Sequence, residues 1–145
     1  MSLLRAAVIV VCISTPFSVR AEGPATVRDL GSLAPVTLSK AELQQLLPGA
    51  KMSRVSAKGS NQSWSNDSDG TMVVHSDNRM FAAGRSSTAS KWHISDDGRY
   101  CVLIPWKQVE AEEWCRFVVK TSDGYYTAKS VDVGSEKVYR IDIGK

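Results

Sequence analysis

Three acidic glycine turns constrain this chain more than any other feature. Asp69-Gly70, Asp97-Gly98 and Asp123-Gly124 lie 28 and then 26 residues apart. Each sits between strand-forming runs, in SWSNDSDGTMVV, KWHISDDGRYCV and RFVVKTSDGYYT. Asp-Gly between two such runs is a strong hairpin signal, because a two-residue type I′ loop needs positive φ at both central positions. Three successive hairpins make a meander. A last run, Lys137 to Ile143, alternates so that Tyr139, Ile141 and Ile143 face a core. With Met52 to Ala57 in front, the expected fold is mainly β. It is an antiparallel meander of about seven to eight short strands, closing into a small barrel or sandwich with one short N-terminal helix.

That helix is written in LSKAELQQLLPG. Ser39 is the N-cap and Glu42 completes a capping box, with Leu38 and Leu43 at the positions of a hydrophobic staple. Leu43, Leu46 and Leu47 form an apolar stripe, and Pro48-Gly49 ends the helix. So short a helix is marginal alone, so its stripe must dock on a sheet face or the open end of a barrel. Further on, the polar, small-residue stretch from Gly84 to Ser90 reads as a mobile loop, with Met80 and Phe81 tucking under the sheet.

Residues 1–21 read as a signal peptide: Arg5, then the apolar run Ala6 to Ile13, Pro16, and small residues before a cleavage site after Ala21. The run is too short to span a bilayer, which needs about 20 apolar residues. Residues 22–37 read as an extended lead-in and residues 38–145 as a single β domain. Removing Arg5 and Arg20 lowers the charge from 18 − 15 = +3 to 16 − 15 = +1. A nearly neutral chain without a basic run argues against nucleic acid or an anionic membrane as a partner, and no other segment reads as transmembrane. The expected location is the periplasm or the extracellular medium.

Two cysteines remain, Cys101 and Cys115, and an even pair in an exported domain reads as a disulfide. Pairing them directly across two strands places Leu103 opposite Glu113 and centres the turn on Gln108. For the preceding hairpin, a two-residue Asp97-Gly98 loop places Ile94 opposite Cys101 and Trp92 opposite Leu103, with His93 on the other face. No metal or cofactor is expected, since zinc needs about four ligands and only His75 and His93 could join the cysteines. SNDSDG resembles the start of a calcium loop, with Asp67 and Asp69, but Ser65 and Ser76 stand where acidic ligands belong. Asn61 and Asn66 fit the glycosylation pattern.

No catalytic residues are expected. His75 and His93 are the only histidines, with no nucleophile elbow nearby. Glu110, Glu112 and Glu113 read as a solvated loop. Four aromatic residues, Trp106, Trp114, Tyr125 and Tyr126, read as the candidate binding surface, with Trp106 and Trp114 facing each other across the acidic loop WKQVEAEEW.

The succession of LSKAELQQLLPG, a Gly-rich strand region, KWHISDDGRYCVLIPW, EEWCRFVV and SDGYY resembles a family of small exported proteins of Gram-negative bacteria. That family is catalogued only as a domain of unknown function. The likeness runs from residue 38 to about 130 and is most specific at Trp92, Gly98, Cys101, Trp106, Trp114 and Cys115; Lys91 stands where the family's glycine is expected. It implies bacterial export and a compact β domain with a cysteine pair, and no activity. The chain is therefore expected to be a non-enzymatic exported domain that binds a protein or envelope component. The alternative is a lipocalin-like carrier of a small apolar ligand.

Overall fold

The structure is a computed structural model that describes residues 23–56, 58–77, 85–107 and 109–145. The expected signal peptide, Met80, Phe81 and Gln108 lie outside the described residues. A 3-10 helix, Arg28–Leu33, is followed by β1 (Val36–Thr37) and α1 (Lys40–Leu46). Eight strands come next: β2 (Lys51–Val55), β3 (Asn61–Asn66), β4 (Thr71–Ser76), β5 (Arg85–Ile94), β6 (Tyr100–Ile104), β7 (Glu112–Thr121), β8 (Gly124–Ala128) and β9 (Val138–Gly144).

Each strand of β2 to β9 pairs antiparallel with the next, and β9 returns to β2, so the meander closes into an eight-stranded barrel. The short outer strand β1 lies on β7 at Val119 and Lys120, beyond the rungs that β6 occupies. Alternation sends Met52, Trp64, Val74, Trp92, Val102, Trp114 and Val118 inward, and they pack into one core. The Trp64 indole N–H donates to the Tyr100 hydroxyl at 2.9 Å, and Tyr100 donates to Asn66 Oδ1 at 2.9 Å. The tyrosine's polar tip is thereby satisfied in the interior. Asn66 is fully buried, so the folded barrel does not present it as a glycosylation acceptor.

The capping box at Ser39 and Glu42 forms as read. α1 plugs one end of the barrel. Leu43 and Leu47 are fully buried in the main core, and Gly49 N–H and Ala50 O bond the backbone of Asn66. Lys40 pairs with Asp96 on the β5–β6 turn.

Three expectations need correction. The lead-in is not extended throughout, since Arg28–Leu33 is helical. It lies against the outer face of β7, β8 and β9, where Leu30, Val119, Tyr126, Ala128 and Val138 make a second core. The stretch from Arg85 to Ser90 is strand, because backbone pairing with β4 holds it whatever its side chains, with a bulge between Met72 and Val74. The β5–β6 loop has three residues rather than two. Ser95 N–H donates to Arg99 O and Gly98 N–H to Ser95 O, with Gly98 at φ 79°. This is a type I turn closed by a left-handed glycine.

One extra loop residue turns over every side chain of the hairpin. Trp92 pairs with Val102, and His93 with Cys101. The tryptophan therefore faces the core, while histidine and cysteine share the outer face.

Candidate functional site

Cys101 pairs with Cys115 in the register read from the sequence, and the two form a disulfide with Cα atoms 4.0 Å apart. The bond lies on the outside of the barrel, with His93 beside it rather than opposite. The ligand atoms of His93, Cys101 and Cys115 lie within 4.8 Å of one another, but sulfurs joined to each other are not the thiolates a metal takes. His75 is not brought to His93: its rung partner is Ser86, seven residues along β5.

The inward positions at the end opposite α1, where β6 gives way to β7 and β8 to β9, are charged and aromatic. Arg54 follows Met52 on the inward phase of β2, Gln62 precedes Trp64 on β3, and Glu112, Trp114 and Arg116 alternate inward on β7. Arg54 forms an ion pair with Glu112, and its Nε donates to Gln62 Oε1 at 2.9 Å. Gln62 Nε2 in turn donates to Glu112 at 3.1 Å. The indole N–H groups of Trp106 and Trp114 reach the same carboxylate at 3.4 and 3.3 Å. Burial pushes the Glu112 pKa up, but Arg54 and these donors outweigh it, and the net shift is downward. Glu112 is thus an ionised group inside the mouth, not part of a solvated loop.

Arg116 is different. Its guanidinium lies 4.3 Å from the Tyr139 ring centroid and 5.3 Å from that of Trp114. Its Nε and Nη1 are buried and meet no acceptor among the described residues. Burial lowers its pKa, Arg54 adds to the shift, and Tyr139, Glu112 and Glu136 oppose it. Arginine remains charged regardless.

A cleft of about 660 Å³ opens beside this mouth, lined in part by Arg54, Gln62, Ser76, Tyr139 and Arg140. It follows a seam in the barrel. β2 and β9 share only three rungs: Lys51 with Gly144, Met52 with Ile143 and Ser53 with Asp142. The lead-in takes over farther along β9, where Thr26 bridges Lys137 and Val138 N–H donates to Ala25 O. Between these contacts, Arg54 and Val55 face Tyr139 to Ile141 without a shared rung.

No family model, curated protein or solved structure matches this chain.

Of the four aromatic residues read as a binding surface, the structure joins two and separates two. Trp106 and Trp114 meet at Glu112, but Trp114 is only 8% exposed and faces the interior. Tyr125 packs on the inner core, and Tyr126, 2% exposed, lies under the lead-in on the outer face. Sequence reasoning missed Arg54, Gln62 and Arg116, and read Tyr139 only as a core-facing residue. The available signal was their phase, since each lies an even number of residues from a core residue on its own strand. Asp67 and Asp69 belong to turn chemistry: Thr71 N–H and Oγ1 both bond Asp69 Oδ1, at 2.9 and 2.6 Å. Among the described residues no helix is long and apolar enough to cross a membrane.

Proposed function

We propose that this is a non-enzymatic binding barrel, exported by the signal segment at residues 1–21, that takes an extended segment of another exported or envelope protein into the seam between β2 and β9. The parting of these two strands carries the reading. A closed barrel satisfies its strand edges by pairing, and here a short stretch of two facing edges is left over beside a cleft. Peptides commonly bind by adding a strand to such an edge, with backbone hydrogen bonds supplying affinity and alternate side chains supplying specificity. Alternate residues of a strand laid in this seam face inward, toward Arg54, Gln62 and Tyr139. The disulfide, consistent with an oxidising compartment, staples the opposite side of the barrel and stiffens it.

A carrier of small apolar ligands has less support. Trp64, Met72, Trp92 and Tyr100 fill the interior near α1, and the remaining room is at the charged end.

Panning a random peptide library on the intact protein tests the reading, with amide exchange to locate the bound peptides. Retained peptides are expected to slow exchange in Arg54–Val55 and Tyr139–Ile141 and to leave β5 and β6 unchanged. Retention of no peptide, or protection confined to other strands, overturns it.

A further inference from the structure

We infer that Arg116 is the anchor for a carboxylate carried by the ligand of this mouth. The inference rests on the seam being the binding site and goes further by naming the chemical group that enters it. The Arg116 neighbours Glu112, Arg54 and Gln62 are already bonded to one another. Glu112 accepts from Arg54, Gln62, Trp106 and Trp114. Arg54 is spent on Glu112 and Gln62. Arg116 holds two buried nitrogens, Nε and Nη1, without an acceptor among the described residues; the other such atom, Asn66 Nδ2, lies at the α1 end. Buried polar groups in folded proteins are paired in the great majority of cases, so an orphaned pair of donors on a fixed cation marks a site that something else completes.

The surroundings select the partner. The rings of Tyr139 and Trp114 hold the guanidinium in place through cation–π contacts. A guanidinium held in this way is pre-organised for oxyanions. Carboxylates and phosphates both fit guanidinium geometry, but Glu112 and Glu136 already act on Arg116. These two acids repel a dianionic phosphate more strongly than a monoanionic carboxylate. The tryptophans beside Glu112 provide a flat apolar wall for the carbon atoms next to that carboxylate. A peptide C-terminus, an Asp or Glu side chain and a free organic acid share this chemistry.

Tryptophan fluorescence reads the site, because the Trp114 ring lies 5.3 Å from the Arg116 guanidinium and Trp106 shares Glu112 with Trp114. Benzoate is the probe, benzamide its neutral counterpart and inorganic phosphate, at matched ionic strength, the competing anion. Benzoate is expected to change the emission saturably in the millimolar range, with benzamide and phosphate at least tenfold weaker. Arg116→Gln and Arg116→Met should lose at least tenfold in benzoate affinity while keeping the wild-type near-ultraviolet dichroism, and Arg116→Lys should retain a weaker response. In the ¹⁵N-labelled wild type, benzoate should shift the Arg116 Nε–H resonance and leave that of Arg140 in place. An equal response to benzamide or phosphate overturns the carboxylate assignment. So does unchanged benzoate affinity in both neutral variants, or an unmoved Arg116 resonance.

The two readings fail separately. Peptides that protect Tyr139–Ile141 equally well, and bind with unchanged affinity, in Arg116→Gln overturn the anchor and leave the seam. Benzoate binding at Arg116 in a protein that retains no peptide upholds the anchor and overturns the seam.

Discussion

Glu112 keeps its charge in the mouth because Arg54, Gln62 and two indoles converge on it. Its folded-state pKa lies below its ordinary value, so its contribution to stability is complete above the ordinary glutamate range, about 4.3. It is lost as pH falls through the depressed folded value. Glu112→Gln is expected to destabilise the protein at pH 7 by about 1–2 kcal/mol, since it keeps an acceptor but loses the charge on a partly buried pair. Urea unfolding should also show a smaller further loss between pH 5 and pH 3 in the variant than in the wild type. Parallel curves would mean that the exposed aspartates, whose values are also lowered, carry the acid sensitivity. None of this was legible in EAEE, where three acids in four residues look solvated. Only strand tilt and closure carry Glu112 over the interior. For Arg116 the one signal was its phase, two residues from Trp114 on β7; without the closed barrel it looks like an ordinary surface arginine.

The turns govern the elements. Ser56–Ser60, Asp67–Thr71 and Ser95–Arg99 share one pattern, a first N–H bonded to the last carbonyl with glycine fourth at φ 78°, 86° and 79°. A side chain at Gly59 has open space, but a Cβ at Gly70 comes within 3.2 Å of Trp92 O. Left-handed backbone costs a residue with a Cβ about 1–2 kcal/mol. Gly59→Ala should fall in that range in urea unfolding, and Gly70→Ala should exceed it, because the β5 backbone must also move. Equal losses would show that the contact relaxes freely. These turns also mark how far the sequence could be read. Asp-Gly announces a hairpin but fits both a two-residue loop and a three-residue loop with a left-handed glycine, and the choice decides which face His93 and Cys101 occupy. The β6–β7 register was legible because two cysteines fix it covalently. Closing that loop, with a separation of 14 residues, stabilises by about 3 kcal/mol in the chain-entropy model. Replacing both cysteines by Ala should lower Tm by about 10 °C. The benzoate response should survive, because the bond sits on the outer face.

At the scale of the molecule, the sheet of β7, β8 and β9 is buried on both faces by different parts of the chain. α1 and the barrel's own side chains cover the inside; the lead-in, through Leu30, covers the outside. Capping signals and strand alternation announce the first core. The lead-in's signal for the second is short: Val27, Leu30 and Leu33 recur every three residues over little more than two turns of 3-10 helix, between Pro24 and Pro35. Leu30 and Ile104 are each 1% exposed, so truncation at either leaves a cavity. Leu30→Ala is expected to destabilise by about 2–4 kcal/mol and Ile104→Val, in the inner core, by about 1 kcal/mol. The two residues belong to separate clusters and share no packing partner among the described residues. Their double variant should therefore unfold at the sum of the two losses to within about 0.5 kcal/mol. A larger coupling energy in urea would show that the sheet transmits strain from the lead-in to the interior. Displacing the lead-in would then reach the seam as well, because Ala25 and Thr26 form its far boundary. Additivity, with Leu30→Ala leaving benzoate affinity at the wild-type value, would establish the outer layer as a stabilising cover independent of the mouth.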